Sequence, residues 1–110
     1  MNKLNYHTEL QLVRLYQETN DKAYFSELYQ RLYPQVYQQC LGLVGSKDTA
    51  FEITETTFIH LSSIIPELSN AKIFFSYLSN KVNEECLAAL LVVKDTDKRE
   101  GINYYALNSF

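Results

Sequence analysis

A chain of 110 residues and 12.8 kDa has the length of one domain and leaves no room for a second core. Apolar residues make up 46% and charged residues 21%, with three Gly and two Pro, which excludes a disordered, collagen-like or low-complexity chain. Ten Lys and Arg against thirteen Asp and Glu leave a net charge of −3, which argues against strong, autonomous nucleic-acid binding.

Thr8 and Gln11 fit a capping box, and Leu10, Leu12, Val13 and Tyr16 follow at helical spacing, so a first helix is expected to stop near Thr19 and Asn20. Asp21 is the N-cap expected for a second helix with the stripe Phe25, Leu28, Tyr29 and Leu32. Pro34 lacks a backbone N–H and either opens a new helix or kinks a longer one. Val36, Tyr37, Cys40, Leu41 and Val44 continue the stripe until Gly42 and Gly45 end it. Ser46 then caps a helix on which Phe51, Thr54, Phe58, Leu61 and Ile65 share one face. The run Ile53–Ile59 is rich in β-branched residues, but no second strand-like run offers it a partner, so a helix is expected there too. Pro66 closes it, and Ser69 or Asn70 caps a last helix with Phe74, Tyr77, Leu78, Val82, Cys86 and Ala89 or Leu90 on one face.

The pattern predicts an all-α fold, a compact orthogonal bundle of four or five helices over residues 1–93. Residues 94–110 read as a charged linker followed by an apolar tail, INYYALNSF, which either folds back on the helices or docks on a partner. Both outcomes bury Tyr104, Tyr105 and Phe110. The longest apolar run, Leu87–Val93, is far shorter than the roughly 20 residues of a membrane span, and the first residues lack a signal peptide's apolar stretch. A soluble, cytoplasmic protein with no membrane contact is therefore expected. Cys40 and Cys86 lie in apolar segments without metal spacing and read as small buried hydrophobes.

No constellation for catalysis stands out. A helix-borne metal pair would want Glu and His three apart, but His60 lies five residues from Glu55 and eight from Glu52, on a different face. Glycine-rich phosphate loops and nucleophile or zinc-protease motifs are absent, so neither an enzyme nor a cofactor is expected. Tyr24, Tyr29, Tyr33, Tyr37 and Tyr77 could stack on bases, but with few cations nearby they read as packed rings with wet hydroxyls.

Taken in order, these segments resemble region 2 of sigma-70-family RNA polymerase sigma factors of the small extracytoplasmic-function type. The similarity runs through Asn20-Asp21, Tyr24-Phe25-Ser26-Glu27-Leu28-Tyr29, Tyr33-Pro34-Gln35-Val36-Tyr37 and Leu43-Val44-Gly45-Ser46. It continues with Ala50–Phe58 and Phe74-Phe75-Ser76-Tyr77-Leu78, and covers about Glu9 to Leu90. The family's clamp-docking helix carries Asp and Gln where this chain has Glu52 and Glu55. The family's basic promoter-melting helix is matched by Ser79–Glu85, with one Lys and two Glu, and its second DNA-binding domain has no counterpart in these residues. The resemblance implies a sigma-like module that binds RNA polymerase core through Glu52, Glu55 and Phe58. Lys72, Tyr77, Lys81 and Asn83 would then hold weakened or lost binding to the promoter −10 element. The alternative from the residues alone is a helical protein-interaction domain that self-associates as a homodimer, or binds another protein, through exposed aromatics and the C-terminal tail.

Overall fold

The computed structural model describes residues 3–100, and for residues 92–100 the helix backbone alone. Four α-helices follow one another, α1 (Glu9–Thr19), α2 (Lys22–Val44), α3 (Lys47–Ile64) and α4 (Phe74–Glu100). Short 3₁₀ turns stand at Lys3–Tyr6, Ile65–Glu67 and Ala71–Ile73, and no strand occurs among the described residues. The fold is an all-α bundle.

Local chemistry sets most of the boundaries. Thr8 Oγ1 accepts the Gln11 N–H at 3.1 Å while Gln11 Oε1 accepts the Thr8 N–H at 2.7 Å, which closes the capping box of α1. Asn20, at φ 56°, ends that helix in the left-handed region that its short polar side chain tolerates. Asp21 caps α2 by accepting the Ala23 N–H, and Gly45 ends it at φ 75°, where a side chain would be strained. Ser46 caps α3. Pro34 neither starts nor ends a helix: α2 runs through it, with Gln30 and Pro34 both on the exposed side where water can satisfy the carbonyl that loses its donor.

The β-branched stretch Ile53–Ile59 is helical, held by packing that outweighs its propensity. One residue of the expected inner face is corrected. Phe51 is 52% exposed, and Ala50 fills the interior position one turn before Thr54. A small side chain lets α3 approach its neighbours there, and the phenyl ring turns outward. The interior joins Leu12, Val13 and Tyr16 of α1 to Leu28, Leu32 and Val36 of α2, Phe58 and Leu61 of α3, and Phe74, Leu78 and Val82 of α4. α2 packs against each of the other three helices.

α4 continues to Glu100, seven residues into the stretch whose composition reads as a linker from Lys94. Gln39 meets Asn83, five residues before α2 stops, whereas α4 carries on for several turns beyond that level. The tail with Tyr104, Tyr105 and Phe110 lies outside the described residues.

Candidate functional site

The outward face of α3 is built from a four-residue step. Phe51, Glu55 and Ile59 succeed one another along it, with Glu52 alongside. Ile59 is 69% exposed, so two large apolar groups stand free on either side of two carboxylates. Phe58, which the resemblance groups with Glu52 and Glu55 for docking, lies instead in the interior, on the inner face where its spacing places it. Its ring is buried between Phe25, Tyr29 and Tyr33, with centroids 6.5, 5.0 and 6.1 Å away. One residue of chain separates Phe58 from Ile59, and the 100° step of the helix sends them to opposite environments.

Glu55 is held from behind. Tyr29 of α2 donates its hydroxyl to Glu55 Oε2 at 2.7 Å, which fixes the carboxylate and pushes the Tyr29 phenol up to about 12, chiefly through that bond and then through burial. Tyr33 beside it is also raised, first by burial and next by the Glu55 charge. The tyrosine stripe is therefore packed: Tyr29 and Tyr33 lie 5.2 Å apart and Tyr33 stacks on Tyr37 at 6.3 Å.

The positions matched to promoter binding are mostly engaged within the chain. Lys81 Nζ lies 3.2 Å from Glu85 Oε1, one turn along α4, and its pKa is raised first by that contact. Tyr77 shares a 2.7 Å hydrogen bond with His60 Nε2, and the two rings stack. Asn83 Oδ1 accepts from Gln39 Nε2 at 3.2 Å. Lys72 is exposed in the turn before α4. Tyr77 and Lys81 share a face of α4, whereas Asn83 looks toward α2.

Arg31 is the best-connected side chain and the one whose role is least visible in the sequence. Its guanidinium donates from Nε to the buried Glu27 at 2.8 Å, to Glu9 at 2.9 Å and to the backbone carbonyls of His7 and Leu4. It thus pins the N-terminal turn and the start of α1 to α2. The Glu27–Arg31 spacing of four residues is the signal that could have disclosed half of this hub.

Cys40 and Cys86 are buried, free thiols on facing stretches of α2 and α4, and burial, followed by Cys40, raises the Cys86 thiol. A cleft of about 500 Å³ opens where Tyr16, Phe25 and Tyr29 meet Ser62 and Ser63, with Lys22 at its rim. No cluster of three or more metal-ligating side chains occurs among the described residues, and none of their helices is long and apolar enough to cross a membrane. Comparison with family models, characterised proteins and solved structures finds no match to this chain.

Proposed function

We propose that this chain is a transcription-associated, sigma-like binding module that docks on RNA polymerase core through the outer face of α3. The observation that carries the reading is the outward set of exposed Phe51, Glu52 and Ile59 with half-buried Glu55 between them, two apolar anchors around two carboxylates. Such a face suits a helical partner with apolar residues framed by Arg or Lys, and the order of segments resembles the polymerase-docking half of a sigma factor. Tyr29 gives the face a fixed Glu55 carboxylate, which limits the ordering lost on binding. Promoter binding is weakened or lost in this reading, because Lys81 is paired to Glu85 and Glu84 adds a further negative charge beside it. Retention on immobilised polymerase core tests the proposal. The parent chain is expected to be retained, with Glu52→Lys and Ile59→Asp each reducing retention at least about ten-fold. A parent chain that washes through overturns it.

A second reading, a helical interaction domain that self-associates, is supported by Leu87 and Leu91. Both are more than half exposed on α4, far from the α3 face in sequence.

A further inference from the structure

α4 carries two stripes. Phe74, Leu78, Val82 and Cys86 form the inner one and are all buried in the bundle. The outer one runs Asn80, Glu84, Leu87 and Leu91, all four exposed, and the same four–three alternation along the helix leads on to positions 94 and 98, both Lys. That alternation has the four–three spacing of a two-helix coiled-coil seam, with Leu87 and Leu91 as its apolar positions. Leu87–Val93 is also the chain's longest apolar run, and two turns of unbroken apolar residues cannot all face one side of a helix.

We propose that this outer stripe is the interface for a second copy of the chain, with the two α4 helices antiparallel. The proposal gives the self-association reading a surface and a register, and it is independent of polymerase docking. In an antiparallel pair each first seam position meets the other helix's fourth. Leu87 then meets Leu91 of the second copy, and Leu91 meets its Leu87. On either side of these two layers, position 84 meets position 94, Glu against Lys, and the outermost layers set Asn80 opposite position 98. A two-fold axis repeats every contact, as a closed dimer requires. A parallel pair would instead set Glu84 on Glu84, Lys94 on Lys94 and Lys98 on Lys98, so the charges select the antiparallel arrangement. Two leucine layers make a small seam, so the dimer is weak and concentration-dependent.

Analytical ultracentrifugation of the full chain over roughly 10–500 µM reads the equilibrium directly. The parent is expected to dimerise, and Leu91→Glu to remain monomeric with unchanged helicity, since the side chain is more than half exposed. Glu84→Lys and Lys94→Glu should each weaken the dimer about ten-fold, because each reverses two symmetric pairs. The double variant Glu84→Lys/Lys94→Glu should restore it. Ten residues of helix, about 15 Å, separate the two positions in one chain, so restoration can only come from pairing between copies. A dimer that survives Leu91→Glu, or singles that the double variant does not rescue, overturns this interface while leaving self-association standing. A chain monomeric throughout overturns both. So does a parent that stays monomeric while Tyr104→Asp/Tyr105→Asp dimerises, which would assign the leucines to the chain's own tail.

Discussion

Arg31 with Glu27 on α2 and Lys81 with Glu85 on α4 have the same spacing and similar bond lengths, 2.8 and 3.2 Å, yet they do different work. Glu27 keeps 8% of its side-chain surface and Glu85 keeps 34%, and Arg31 holds three further oxygens that Lys81 has no counterpart for. A planar guanidinium can serve several acceptors at once, whereas an ammonium at a solvated helix face mostly exchanges water for one carboxylate. The comparison teaches that an ion pair in this fold is structural in proportion to what its loss would leave buried and unpaired.

Removing the Arg31 fork is the strongest way to break the contrast. Arg31→Ala leaves the Glu27 carboxylate without its cation at a buried site and releases the turn at Lys3–Tyr6, a loss of about 3 kcal/mol in urea unfolding. Arg31→Lys keeps the charge but cannot span Glu9, Glu27 and two carbonyls, so about half of that loss should remain. Adding Glu27→Gln to Arg31→Ala should recover part of the stability. If it recovers none, the cost lies in the lost N-terminal strap rather than in the stranded charge.

The same rule applies to uncharged groups on α3. Thr54 and Thr57 are both fully buried, but Thr54 Oγ1 donates to the Ala50 carbonyl at 2.7 Å while Thr57 Oγ1 has no hydrogen-bond partner. Thr57→Val replaces the unpaired hydroxyl with a methyl of similar shape and should stabilise the chain by about 1 kcal/mol. Thr54→Val is expected to be neutral or slightly destabilising, and equal effects at the two positions would remove the distinction. Between the buried and solvated extremes lies Tyr29. Its phenol is raised from 10 to about 12 by the Glu55 bond, so it stays protonated in the folded chain after it would have ionised in the unfolded one. Its contribution is complete below about pH 10 and is lost as pH rises toward 12. Unfolding measured across that window should fall more steeply for the parent than for Tyr29→Phe, and Glu55→Gln should bring one tyrosine's absorbance titration back toward the ordinary range.

The elements most legible in the sequence are those with local causes. Thr8, Asp21, Ser46 and Gly45 act within one turn of themselves, and each stands where its chemistry places it. The inner faces of α2 and α4 followed from periodicity for the same reason. Two things did not follow. The choice between Ala50 and Phe51 depends on how closely α3 approaches its neighbours, and the docking role that the resemblance implies for Phe58 runs against the inner face on which its spacing had placed it, where rings from α2 enclose it. At the candidate site Glu52 and Glu55 were legible as a carboxylate pair, while their apolar companions were misassigned by a single residue. Arg31 was invisible as a hub because its partners lie in the N-terminal turn and on α1, more than twenty residues away.

The smallest expected effect sharpens the opening contrast most. Lys81→Ala removes a pair whose two side chains keep 24% and 34% of their surface, on a helix where water replaces the lost contact. The loss should be about 0.3–0.5 kcal/mol, shrinking further in high salt as the charges are screened. Coupling between Lys81 and Glu85, read from a double-mutant cycle, isolates the pair from the loss of the lysine's methylene packing. Coupling near that of Arg31 and Glu27 would show that Lys81 is locked rather than merely neighboured. A lysine held that tightly could not turn to a phosphate, whereas a weakly coupled one leaves the repulsion of Glu84 and Glu85 as the main obstacle to DNA. Glu84→Gln/Glu85→Gln then becomes the variant in which any residual affinity for single-stranded DNA should rise.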